Sequence, residues 1–245
     1  MRNLILLFLS CSLLRADTLT DLKARLATLN GRDPVTATVE YEFSNQGSDD
    51  DQPVNKQGKS SALVEDGADG IRITWPRELL MTAEREAREQ SANQEGKTDT
   101  RRAIGNIGPM MVHDHLNAAS GLQRTLEQAT LLEEKADTWE GQPARLLVMK
   151  LPPPQSAQAR KYLKEWTATA KLWVGADGLP LAAELRRHQK GRALLVVSFE
   201  GDNNEDFRYA VVGQRLVIVR HVRESSGSGA GQKSREKSVI TFRMQ

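Results

Sequence analysis

One cysteine, Cys11, is all the thiol chemistry in this chain of 245 residues. A single cysteine rules out an internal disulfide framework, a CxxC redox motif and cysteine-built zinc sites. An excess of one charge is missing as well. The 34 Lys+Arg stand against 32 Asp+Glu, so there is no concentrated basic field of the kind that nucleic-acid binding needs. A long apolar run is the third absence. Leu4–Leu14 falls far short of the roughly 20 residues of a spanning helix, and no stable transmembrane span is expected once a signal is removed. What remains, 39% hydrophobic and 27% charged residues, is a soluble globular balance that suits one sizeable domain.

The first sixteen residues have the form of an export signal. Met1-Arg2-Asn3 is a short basic start, the Leu4–Leu14 run is the apolar core, and small Ala16 can end the segment. The competing outcome is an uncleaved signal kept as an N-terminal anchor. A lipobox at Leu9-Ser10-Cys11 would leave a signal too short for the export machinery. Cleavage after Ala16 removes Arg2, Arg15 and Cys11, leaving 229 residues with 32 basic and 32 acidic side chains and no cysteine. Such a chain suits a bacterial periplasm. A periplasmic or otherwise exported location is therefore expected.

Residues 17–245 read as sheet, then helices, then more sheet. Leu19, Leu22, Leu26 and Leu29 form one stripe of a helix that Asn30-Gly31 stops, with Thr18 and Asp21 resembling a capping box. Val35–Phe43 alternates strictly, with Val35, Ala37, Val39, Tyr41 and Phe43 on one face. Ser44–Lys56 reads as a polar loop or flexible hairpin tip, Gly58–Glu65 as the partner strand, and Ile71–Trp75 as a further strand before Pro76. A helical insertion is expected at about 77–129, made of one helix from Pro76 and a second from Pro109 to Ala129, with polar Ser91–Thr100 between them. Strands are then expected at Leu131–Trp139, Ala144–Leu151, Thr167–Val174, Leu181–Gln189, Leu194–Glu200, Arg208–Val212, Arg215–Arg223 and Lys237–Arg243. Turn chemistry separates them at Asp177-Gly178, Gly201–Asn204 and Ser225–Gln232. The pattern predicts an α+β fold, a large curved antiparallel sheet covered by a few helices.

Two stretches resemble a known family. They are Gly70-Ile71-Arg72-Ile73-Thr74-Trp75-Pro76 and the strand-turn-strand Leu172-Trp173-Val174-Gly175-Ala176-Asp177-Gly178-Leu179-Pro180-Leu181. With the leading leucine-striped helix, they make the chain similar to the outer-membrane lipoprotein carrier superfamily (LolA/LolB-like periplasmic proteins). That resemblance implies that the sheet is a half-open barrel, with a helical lid around an apolar cavity for acyl chains.

Chemical motifs are weak by comparison. Gly227–Ser234 lacks the Gly-Lys-Ser/Thr of a phosphate loop, because Gln232 interrupts it. His113 and His115 diverge on a helix, so they make a poor metal pair. No serine lies in a Gly-x-Ser-x-Gly elbow. No enzyme activity, metal or cofactor is expected. The inward parity of Val39, Tyr41, Ile73, Trp75, Leu172 and Leu185 makes these the candidate ligand-binding residues: such a face either packs solid or leaves an apolar groove. A lipid or acyl-chain ligand is the leading expectation. A cell-envelope scaffold with a filled core and a protein partner is the alternative.

Overall fold

The computed structural model describes residues 18–29, 31, 33–49, 52–93, 97–154, 156–193 and 197–245. The expected signal at residues 1–16 lies outside them. Ten strands form one antiparallel sheet, open at both edges, with six helices among the described residues. The order of elements is α1 (Thr18–Thr28), β1 (Val35–Asp49), β2 (Gln52–Gly67), β3 (Gly70–Thr74), α2 (Arg77–Ala92), α3 (Asp99–Gly105), α4 (Pro109–Leu116) and α5 (Ala118–Gln128). Then come β4 (Thr130–Trp139), β5 (Gln142–Lys150), α6 (Ala157–Tyr162), β6 (Leu163–Gly175), β7 (Pro180–Ala193), β8 (Val197–Val212), β9 (Arg215–Gly229) and β10 (Gln232–Met244). The last strand returns to the first, with Val39 opposite Phe242, so the sheet runs β3-β2-β1-β10-β9-β8-β7-β6-β5-β4. The fold is the α+β, large antiparallel sheet that the alternation predicts.

The strands outrun their apolar patterns. Of the two readings of Ser44–Lys56, the hairpin is the one found, with its described residues paired as strand rather than loop: Asn45 pairs with Lys56 on β2 and with Glu236 on β10. Gly201–Asn204 lies inside β8, paired to β7 and to β9, so Val197–Glu200 and Arg208–Val212 are parts of one strand; residues 194–196 of the expected Leu194–Glu200 strand lie outside the described residues. A strand flanked on both sides has its ladder completed whatever its side chains, and that overrides local turn preference. The Ser225–Gln232 tip shrinks to a two-residue turn. Ala230 and Gly231 there both have positive φ, 51° and 80°, which a tight type I′ hairpin requires.

The helical middle departs from expectation in two places. The helix expected over Pro109–Ala129 breaks at Asn117, whose backbone is non-helical (φ −133°, ψ 49°). Its side chain accepts from Arg215 Nη1 at 3.1 Å and donates to the His113 carbonyl at 3.2 Å. An additional short helix, α3, begins at the end of the polar stretch Ser91–Thr100 and runs on to Gly105. The Glu86 carboxylate of α2 accepts the Thr100 and Arg101 amides at 3.1 and 3.0 Å, which supplies an N-terminal cap from fourteen residues away. Gly58 lets α3 come close, since a Cβ there would lie 2.5 Å from the Asp99 carbonyl. Leu22 and Leu26 of α1, and Leu29 just past its end, are buried as the stripe predicts. The Thr18 hydroxyl, however, donates to Glu134 at 2.6 Å, tying α1 to β4.

Candidate functional site

The inner face of the sheet carries two apolar clusters, and only one of them is filled. The first lies where α3 and α4 meet β1, β2 and β10, around Val39, Tyr41, Val64, Val112, Leu116 and Phe242. The second lies beneath α1 and α5, against β5–β9. Here the facing positions are small. Ala118 and Gly121 on α5 look across to Ala170 on β6 and Ala183 on β7. Small side chains on opposed surfaces leave room that close packing would otherwise fill, and the result is a cavity of about 320 Å³.

Its walls are Leu122 and Leu126 of α5, Met149, Leu172, Leu185, Phe207, Tyr209 and Ile218, with Asp114, Arg124, Lys171 and Glu184 among the polar residues that border it. Burial pushes the Tyr209 phenol well above its ordinary pKa. Gly121 is the informative wall position: a Cβ there would meet nothing within 4 Å.

The six candidate ligand residues divide between the clusters. Leu172 (1% exposed) and half-buried Leu185 line the cavity. Val39 and Tyr41 are buried in the first cluster, with Ile73 and Trp75 packed against it, so these four lie away from the cavity. Strand parity reports which face a residue joins, but not which helix covers that part of the face. The residues that parity reasoning passed over are Gly121, Phe207, Tyr209 and Ile218. The run of Ala118, Ala119 and Gly121 at the start of an otherwise leucine-bearing helix was the available signal.

A polar layer adjoins the cavity. Glu205, buried on β8, is met by Arg187, by Asn203 Nδ2 at 3.0 Å and by His221 Nε2 at 3.0 Å. The His221 ring stacks on Phe207, centroids 4.3 Å apart, and lies 5.4 Å from His115 of α4. Burial lowers His115 to a pKa of about 4, so its ring is neutral at pH 7.

No family model matches the chain, and no curated protein matches it. Among solved structures it is similar to the crystal structure of a DUF1329 family protein from Desulfovibrio piger, at 11% identity over 92% of this chain and 90% of that one, with a TM-score of 0.31. A likeness that loose carries no inference, and the reading below rests on the geometry. Among the described residues no helix is long and apolar enough to cross a membrane, and no group of three or more His, Cys, Asp or Glu could hold a metal ion.

Proposed function

We propose that this is a non-enzymatic, exported, periplasmic protein that holds one acyl chain or similar hydrophobic ligand between α5 and β5–β9, in the manner of the LolA/LolB-like carriers it resembles. The cavity carries the reading. Its volume, about 320 Å³, is at the low end of ligand pockets, roughly 300–1,000 Å³. That suits a single tail rather than a complete multi-chain lipid. Ten buried methylenes would contribute about 8 kcal/mol before ordering costs, so affinity should be micromolar or weaker. Delipidated protein is expected to take up one equivalent of a fluorescent fatty acid, and native preparations to carry lipid detectable by mass spectrometry. A preparation that shows no uptake and carries no co-purifying lipid refutes the proposal.

A second reading, an envelope interaction module, draws on the exposed Leu80 and Met81 of α2, 46% and 58% exposed. Crosslinking from membranes should then capture a partner that Leu80→Ser with Met81→Ser loses.

A further inference from the structure

Further along the strands from the cavity, the same inner face turns polar. After Leu185 the next inward positions on β7 are Arg187 and Gln189; after Phe207 on β8 they are Glu205, Asn203 and Gly201. Register aligns them across four strands: Arg187 opposes Asn203, which opposes Ser225, and in the next row Trp166, Gln189, Gly201 and Gly227 are successive partners. Together they border a second hollow, of about 460 Å³. Its floor is formed by the two glycines. A Cβ on Gly227 would meet the Glu200 carbonyl and the Ser234 hydroxyl at 3.8 Å, an ordinary contact, so a side chain can be placed there without a clash.

Hydrogen-bond accounting around this hollow is lopsided. Two buried donors, Trp166 Nε1–H and Arg187 Nε–H, have no partner, and buried donors left unpaired are costly. The Glu205 and Asn203 acceptors beside these donors are already engaged. Glu205 Oε1 takes Arg187 and Asn203, Glu205 Oε2 meets His221, and Asn203 Oδ1 accepts Arg223 Nε at 3.2 Å. Asp202 and Glu200 also border the hollow, and their carboxylates pair with His188 and Lys190. Glu236, opposite Ser225 on β10, adds a carboxylate one strand away. Burial and the nearby Arg223 hold the Arg187 guanidinium below its ordinary pKa, a repulsion that an anion between them would relieve.

A site with spare donors and few spare acceptors suits a group that only accepts. We propose that this hollow is an oxyanion site, taking a phosphate or carboxylate group on the Trp166 and Arg187 donors, with Arg223 contributing charge. The anion can be free in solution, or it can be the head of an amphiphile whose tail lies under α5; the second source rests on the acyl-binding reading above. Leu185 and Arg187 are two residues apart on one strand, about 7 Å, so head and tail could be engaged together.

The test uses the purified full chain, calorimetric titration and three probes: inorganic phosphate, dodecyl phosphate and dodecanol. Either inorganic phosphate binds, assigning the free anion, or dodecyl phosphate binds about tenfold more tightly than dodecanol, assigning the headgroup. In both cases Arg223→Gln and Trp166→Phe should weaken the phosphate-dependent binding about tenfold, and Gly227→Leu, which fills the floor, should abolish it while leaving dodecanol binding unchanged. Arg187 is left intact because removing it would strand Glu205. No inorganic phosphate binding together with equal affinity for the two dodecyl probes overturns the proposal, as does a phosphate preference that survives all three substitutions. Phosphate bound with no dodecanol uptake would sink the acyl reading and leave this site standing.

Discussion

Gly121→Leu separates stability from binding at the cavity under α5. Gly121 is helical, lines the cavity and has nothing within 4 Å of where its Cβ would be. Replacing a glycine inside a helix with a good helix former stabilises by roughly 0.5–1 kcal/mol. Burying the new side chain against Leu172 and Leu185 adds to that. The same four carbons occupy space that a tail would fill. At about 0.8 kcal/mol per methylene, excluding four of them from a bound chain removes about 3 kcal/mol, on the order of a hundredfold in affinity. The variant should therefore melt higher than the wild type and take up a fluorescent fatty acid about a hundredfold more weakly, in thermal melts followed by circular dichroism and in parallel titrations. A Gly121→Leu protein that melts higher and still binds at wild-type affinity would show that the ligand sits elsewhere. A variant that melts lower would show the cavity to be smaller than described.

Two further outcomes test the frame around the cavity. Arg215, with its side chain 3% exposed, donates to Asp66 at 2.5 Å and to Asn117 at the α4–α5 break. Asp66→Ala leaves that cation buried without its counter-charge and should cost about 3–5 kcal/mol, a fall of roughly 6–20 °C in melting temperature for a chain of this size. Arg215→Met combined with Asp66→Ala should recover much of the loss, and a double variant as unstable as Asp66→Ala would contradict the account. His115 supplies a pH dependence. Its folded pKa, about 4, lies below the unfolded value of about 6.5, so between those values the unfolded chain takes up a proton that the native ring refuses. Stability is therefore fully present above pH 6.5 and falls as pH drops to 4, by up to about 3 kcal/mol from this group. The ring faces His221, Phe242 and the Met111 carbonyl. His115→Phe should flatten that part of the slope in denaturant titrations at pH 7, 5.5 and 4.5, and an unchanged slope would refute the assignment.

How much of this was legible beforehand follows from the range of each interaction. Period-two alternation at Val35–Phe43 and period-3.6 leucines in α1 record a local choice of face, so the sheet and the first helix could be read directly. The Asp177-Gly178 hairpin could be read for the same reason. The polar halves of β1, β2 and β8 could not. Asn45 and Asn203 are held in strands by neighbours far away in sequence, and nothing in their own composition records it. The α3 cap from Glu86 and the α4–α5 break at Asn117, bound to Arg215, are likewise long-range contacts. Parity placed Leu172 and Leu185 on the inner face along with Val39 and Tyr41. Only the position of the helices distinguishes a filled half from a hollow one.

The two hollows share a cause. Strands of thirteen to sixteen residues, β6 to β9, extend beyond the helices that cover them, so one continuous inner face must serve two environments. Under α5 the face is apolar; past it, it carries arginine, asparagine, glutamine, serine and glycine. The row holding Glu205 marks the change. A carboxylate buried to 9% exposure at the end of an apolar wall is tolerable only because Arg187, Asn203 and His221 satisfy it, and those partners come from three strands at once. Removing one of them should therefore disturb the boundary between the hollows rather than either hollow alone. If both proposals hold, the ligand expected on this face is an amphiphile, apolar at one end and acceptor-rich at the other.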